Sequence, residues 1–362
     1  MRVHLPTAAT TSPGSAGRRP GARRRLTGIA ALAIASLTLA VCGRDSGGGT
    51  GGGGGGGEDA EAFPENDITI TVPFSAGGPT DTVTRLIAEP MSEELGVPIV
   101  VQNVEGAGGT IAAGQVANAE ADGYNVLMHH IGMSTAPSLY PDLAYDPLED
   151  FKTVGLVTEV PMTIVANKDF EPETFEELVA YLEENGEDVT LANAGVGAAS
   201  QLCGLLLQDA LGVKLTEVPY EGTGPALTDL VGGQVDLMCD QTTNTTGQIQ
   251  SGEIKAYAVT TPERVESLPD VPATEEEGLA DLQVGVWHGL YVPAETSDGV
   301  VEKLTAALGV ALKDQNVIDQ LADLGATPSS EEDATPDALT ERLTTQIDLW
   351  QPIIEKSGVS AS

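Results

Sequence analysis

The sequence predicts an α/β protein whose open parallel sheets are covered by helices, arranged as two lobes facing one cleft. Three observations carry this. From Ile68 onward, short β-patterned runs alternate with amphipathic helical patterns. Two glycine-rich turns, residues 75–81 and 195–200, each join a strand to a helix and stand far apart in the chain. About 300 residues follow the low-complexity start, enough for one large or two medium α/β domains with a real core.

The start of the chain reads as targeting rather than fold. Residues 1–41 hold six arginines and no acid, and close on the apolar run 29–41. That run has the length of a signal-peptide core and is short for a stable membrane span. Cys42 follows it directly, the mark of a bacterial lipoprotein whose cysteine is lipidated and becomes the first mature residue. Val41 departs from the Gly or Ala usual before such a cysteine. A short transmembrane anchor is the alternative, and Arg24-Arg25 fits a twin-arginine export signal poorly. Residues 47–57 are almost pure glycine, so 42–66 is expected to be a lipidated cysteine on a loose tether. About twenty such residues reach roughly 25 Å.

Residues 68–72 alternate apolar and polar side chains, as a strand does. The turn Ser75-Ala-Gly-Gly-Pro-Thr-Asp81 follows, with Thr80 or Asp81 able to cap a helix carrying Val83, Leu86 and Ile87 on one face. Pro90 is expected to kink or break that helix. A glycine-rich turn at a helix N-terminus leaves N–H groups at the positive end of the dipole, an anion site. Equally, it is a tight turn that lets strand and helix pack.

Residues 98–104 read as a buried strand, and Gly106-Ala-Gly-Gly109 opens a helix over 111–118. A strand over 125–129 leads to a polar, flexible loop at 130–134. Two strands, 153–157 and 163–166, flank Pro161, and a helix spans 174–185. The second half repeats the logic. A strand at 190–194 enters Gly195-Val-Gly-Ala-Ala-Ser200 and a helix over 201–211. The loop 218–226 feeds a helix over 226–231, and a tight turn leads into a buried strand ending at Asp240. Strands at 256–260 and 287–292 and helices over 298–313, 317–324 and 336–356 complete the chain. In such sheets ligands sit at the carboxyl ends of strands.

The chain has 54 acids and 17 bases, and only 11 bases remain after residue 41. Nucleic acid is therefore excluded as a partner, and anionic head groups repel the body. Acidic runs such as 171–187 and 275–277 read as solvated faces. With Cys42 assigned to lipid, Cys203 and Cys239 form an even pair in an exported chain, so a disulfide is expected, two buried free thiols being the alternative.

The stretch V-P-F-S-A-G-G-P-T-D-T-V-T-R at 72–85 resembles the opening motif of the periplasmic receptors of tripartite tricarboxylate transporters, the Bug-type binding proteins. The resemblance continues through V-V-Q-N-V-E-G-A-G-G-T at 100–110, A-D-G-Y-N-V-L-M at 121–128 and Y-D-P-L-E-D-F-K-T-V-G at 145–155. It resumes at 218–241, 264–278 and 287–296, and so spans 67–358. It implies a two-lobed, Venus-flytrap (type II-like periplasmic-binding-protein) fold with the ligand in the interlobe cleft. Lobe one would be 67–166 plus 287–362, and lobe two 167–286. It implies a small organic acid pinched by two β–α loops through backbone N–H groups, hydroxyls and water rather than arginines. Carried over, Ser75, Ala76, Gly77, Gly78, Thr80 and Asp81 make the first loop, and Gly195, Gly197, Ala198, Ala199 and Ser200 the second; Asp240 is counted with them. The implied partner is a multi-span permease, with the receptor a monomer held outside the cytoplasm by its lipid.

Departures bear on the ligand. The family's second loop usually carries Thr and His where this chain has Ala198 and Gln201, and its Lys is here Glu221, expected to face solvent. Other chemistry is weakly marked. Gly195-x-Gly197-x-x-Ser200 lacks the third glycine of a dinucleotide fingerprint. Four histidines show no ligand spacing, and no serine sits in a nucleophile elbow. No cofactor, metal or catalytic residue is expected. The alternatives are a receptor feeding a membrane sensor and, more distantly, a secreted hydrolase.

Overall fold

The computed structural model describes residues 62–280 and 282–361. The leader over 1–41, Cys42 and the glycine run lie outside the described residues. In chain order these form β1 (Ile68–Val72), α1 (Pro79–Leu95), β2 (Ile99–Asn103), α2 (Thr110–Ala117), β3 (Asn125–His130), α3 (Gly132–Leu139), β4 (Phe151–Asn167) and α4 (Phe175–Asn185). Next come β5 (Thr190–Asn193), α5 (Ala199–Leu211), β6 (Thr216–Pro219), α6 (Thr223–Val231), β7 (Leu237–Gln241), α7 (Thr242–Ser251) and β8 (Ile254–Val259). Last are β9 (Gly285–Pro293), α8 (Asp298–Ala311), α9 (Gln315–Asp323), β10 (Thr327–Pro328) and α10 (Pro336–Ser357).

The strands run in the order β2-β1-β3-β9-β4-β7-β5-β6, with β8 and β10 also paired to β4. The sheets are mixed rather than parallel throughout. β1 pairs in parallel with β2 and β3, and β5 with β6 and β7. β4 and β9 run antiparallel to their neighbours. Parallel pairs arise where a helix crosses over between strands. β4 instead serves both sheets, pairing with β9 over its first part and with β7 and β8 from Met162 on. The two strands expected around Pro161 are therefore one. Pro161 is the last residue paired to β9 and Met162 the first paired to β7, so the missing N–H falls where one ladder ends and the next begins.

Other expectations shift for physical reasons. α1 continues through Pro90, anchored on both sides by buried Ile87, Ala88 and Met91. The loop expected at 130–134 is the end of β3 and a buried helix, α3. Its polar residues bond locally, Ser134 Oγ to Ile131 O at 2.6 Å and Thr135 Oγ1 to Gly132 O at 3.3 Å, which lets them enter the core. α7 was not legible, because the Thr, Asn, Ser and Gly that make up most of it are poor helix formers. The body begins before residue 67: Phe63 is buried, with its ring 5.1 Å from that of Tyr124. Cys203 on α5 faces Cys239 on β7 with Cα atoms 6.0 Å apart, within disulfide range.

Candidate functional site

Four strand-to-helix turns meet between the two sheets. They are the N-termini of α1, α5, α6 and α7, whose N-cap residues are Gly78, Ala198, Gly222 and Gln241. None of these four receives a side-chain cap, whereas Thr174, Asp314 and Thr335 cap α4, α9 and α10. First-turn N–H groups have no acceptor within their own helix. Four positive dipole ends therefore point at one place. There lies a small cavity of about 10 Å³. Phe74, Pro79 and Thr80 line it from the first turn, and Ala194, Ala198, Ala199 and Ser200 from the second. Thr223, Asp240, Gln241 and His130 close the rest.

The lobes touch around this cavity. Gly222 lies against Ser75 so closely that a Cβ there would overlap Ser75 Oγ. Gly224 N is 3.8 Å from the Cβ position of Gly78. On the other side Tyr140 Oη donates to Val196 O at 2.6 Å. Gly108, at φ 61°, approaches the same carbonyl where no Cβ fits. The Gly106–Gly109 turn, read from sequence as a helix opener, thus also seats the second glycine turn.

No lysine or arginine lines the cavity. Its one acid is Asp240, fully buried, whose Oδ2 accepts from Asn244 Nδ2. Burial pushes this carboxyl up to about 7, against hydrogen bonds from Asn244, the Gln241 backbone and Thr223. Behind the first turn stand three buried histidines. His130 stacks on Phe74 at 4.7 Å, and His129 and His288 meet it edge-on at 5.1 and 5.9 Å. His288 Nε2 lies 3.3 Å from Thr80 Oγ1. Burial pushes His129 and His288 down to about 3 and His130 well below its usual value, so all three are neutral. His130 Nδ1 accepts from Gly132 N at 2.9 Å, which leaves its proton on Nε2.

The sequence-derived residues divide between the cavity and its supports. Thr80, Ala198, Ala199, Ser200 and Asp240 line it. Ser75 and Gly78 are buried at the contact with Gly222 and Gly224. Ala76 and Gly77 are exposed and form, with Asp81 and Arg85, an outer groove. Asp81 is not the N-cap. It sits three residues inside α1, accepting from Gly77 N at 2.8 Å, Arg85 at 2.9 Å and Asn103 Nδ2 at 3.0 Å. Burial pushes its carboxyl up, but Arg85, the Gly77 amide and Asn103 together hold it below the usual range. Arg85 pairs with this acid and does not reach the cavity.

Gly195 and Gly197 direct their N–H groups to Asn193 Oδ1 and Gln201 Oε1, at 2.9 and 3.3 Å, and so shape the turn without lining the cavity. Gly78 is extended at φ −79°, and the positive φ belongs to Gly77, at 79°. Glu221 is exposed. Phe74, His130, Thr223 and Gln241 were not singled out from sequence. The Gly-Thr-Gly at 222–224, opening a helix, was the one available sign. Among the described residues no group of three His, Cys, Asp or Glu is placed to hold a metal.

Comparison with known proteins agrees with this architecture. The family model described as "Tripartite tricarboxylate transporter family receptor" matches residues 83–359. A protein of Agrobacterium vitis, the "UPF0065 protein in the TAR-I ttuE-ttuC' intergenic region", is 52% identical over 298 residues, 82% of this chain and 86% of its own. The solved periplasmic binding protein BugD is similar with a TM-score of 0.81 at 49% identity, covering 83% of this chain and 100% of its own. MatC of Rhodopseudomonas palustris, solved with bound malate, has a TM-score of 0.79 at 43% identity, covering 81% of this chain and 100% of its own. The fold is thus the two-lobed one of periplasmic binding proteins.

Proposed function

The chain belongs to the tripartite tricarboxylate transporter receptor family, and from that premise we propose that it captures a small organic carboxylate and hands it to a multi-span membrane permease. The observation that carries the carboxylate reading is the convergence of four helix N-termini, uncapped by side chains, on one small cleft lined by no basic side chain. Backbone donors in a desolvated site stabilise a carboxylate locally, without the long-range field that this acidic chain lacks. We take Thr80, Ala198, Ala199, Ser200 and Thr223 as the ligand-facing residues. Ser75, Gly78, Gly222 and Gly224 serve as the surfaces that meet on closure. Asp81, Gly195 and Gly197 hold the loops. The two sheets act as the two lobes, and no residue is assigned a catalytic role.

We further propose that Cys42 carries lipid and that the glycine run after it is the tether between membrane and receptor. The mature chain would then work as a monomer on the outer face of the cytoplasmic membrane. A thermal-shift panel of mono-, di- and tricarboxylates, acidic amino acids and aromatic acids tests the binding reading. A ligand at 100-fold its Kd adds about 2.7 kcal/mol of stability, a shift of several degrees. If no carboxylate in such a panel raises the melting temperature, the reading fails.

A further inference from the structure

Behind the strands that join the two sheets lies a groove of about 660 Å³, within the size range of small-molecule sites. It shares no lining residue with the cavity. Pro161 and Gly285 lie at the crossing, residues 260–262 follow β8, and residues 327–330 belong to β10 and the turn after it, so both sheets supply its walls. His288 on β9 reaches Thr80 at the first turn. Successive side chains on a strand point to opposite faces, so Trp287 faces away from that turn. Glu159 of β4 is paired with Trp287 across the ladder, which puts their side chains on one face. Glu159 Oε1 lies over Gly285, 3.2 Å from where a Cβ would stand, and 3.6 Å from Arg342 Nη1 of α10. An indole, a carboxylate and a guanidinium thus meet in the groove.

These groups are not used up by one another. Trp287 is 2% exposed, and its Nε1 is buried with no hydrogen-bond partner among the described residues. Buried donors are almost always paired in folded proteins. Arg342 and Glu159 attract each other but stand beyond hydrogen-bond distance. An anion alone would meet Glu159 and Asp333 in the groove. A cation alone would meet Arg342 and leave the indole N–H unpaired. A molecule carrying both charges meets neither obstacle. We propose that this groove is a second binding site, for a small zwitterion of the amino-acid class. The carboxylate accepts from Trp287 Nε1 and Arg342, the ammonium donates to Glu159, and an apolar side chain lies against Pro161, Pro262 and Pro328. This site does not depend on the carboxylate reading of the cavity.

Trp287 and Trp350 are the two tryptophans of the chain, so Trp350→Phe leaves Trp287 as the sole indole emitter. The experiment follows that emission in the mature protein as L-leucine, L-valine and L-proline are titrated. A saturable change is expected with at least one of them. For leucine, 4-methylpentanoate lacks the ammonium and 3-methylbutylamine lacks the carboxylate, and each should bind about tenfold weaker or worse, having lost a charged hydrogen bond. Arg342→Gln should weaken the amino acid by a similar factor. Arg342 is partly exposed, so the ligand-free melting temperature of that variant should stay within about 2 °C of wild type. Trp287→Phe, which keeps a ring and removes the N–H, should weaken binding measured by calorimetry in the same way. Absence of a saturable change with all three amino acids overturns the proposal. So does equal binding of either half-molecule, or affinity retained in either variant, which would place the amino acid elsewhere.

Discussion

Replacing Gly222 by alanine separates ligand binding from folding. Its φ of 164° is extended backbone, open to any residue, so alanine is not strained there. Its Cβ would overlap Ser75 Oγ and stand 2.9 Å from Ser75 N and 3.0 Å from Ser75 Cβ, where ordinary contacts lie at 3.4–4 Å. Ser75 follows β1 and Gly222 follows β6, in different sheets, so the overlap exists only while the lobes are together. Seating the methyl group requires the Ser75 hydroxyl to turn away and the two turns to part by roughly half an ångström, to relieve the contacts with Ser75 N and Cβ. Overpacking of this kind costs about 1–3 kcal/mol. Because closure is part of binding, that cost passes into affinity, and Kd should rise roughly 5- to 150-fold. Stability without ligand should change by less than about 0.5 kcal/mol, since the lobes can relax apart. Ser75→Gly, which removes Oγ and Cβ, should restore part of the affinity in the double variant. Calorimetry with the tightest carboxylate, alongside urea unfolding, measures both quantities. Wild-type affinity in Gly222→Ala would refute the reasoning, as would a loss of affinity matched by an equal loss of ligand-free stability.

Other outcomes follow from supporting residues. Asp81→Ala should cost about 1–3 kcal/mol of stability, because Gly77 N–H and Asn103 lose a buried acceptor. Arg85→Gln should change ligand affinity less than threefold, and abolished binding would place the anion on a side-chain charge. The Cys203–Cys239 bond, closing a loop of 36 residues, should contribute on the order of 3–4 kcal/mol. Intact mass of the non-reduced protein tests it, since two alkylatable thiols would end the idea.

Acidification should destabilise the fold through the buried histidines, whose stabilising effect is present above about 6.5 and is lost as pH falls towards their depressed values. Between pH 7 and 5.5 each contributes a loss on the order of 1 kcal/mol. Asp240 works the other way. Its raised value stabilises below the unfolded carboxylate range, and that contribution fades as pH rises through about 7. Asp240→Asn should therefore lose more stability than the wild type over the same interval. Equal losses in urea unfolding at the two pH values would contradict this.

Much of the fold was legible because strand and helix periodicity and glycine punctuation agree over most of the chain. The exceptions share a cause. At Pro161, Pro90 and residues 130–134, tertiary packing overrides a local breaker or a polar run, and a window of sequence does not contain that packing. The mixed sheets escaped for the same reason, since a strand that passes between lobes has the same pattern as one that returns over a helix. At the site, the two glycine turns were visible because anion sites and tight turns use the same residues. Their inner and outer faces were not. Asp81 reads as a cap or ligand group, yet its four-residue spacing from Arg85 pairs it, still buried, with that side chain away from the cavity. Thr223 and Gln241 stood unnoticed because they begin helices whose N-caps, Gly222 and Gln241, provide no capping side chain.

The crystal structure of the protein with the tightest carboxylate from the panel tests the central claim most directly. Carboxylate oxygens are expected within about 3.2 Å of first-turn backbone N–H groups, from Thr80 in α1 and from Ala199 and Ser200 in α5, with no lysine or arginine touching the ligand. A carboxylate paired to Arg85 in the outer groove, or bound anywhere outside the four converging turns, would contradict it.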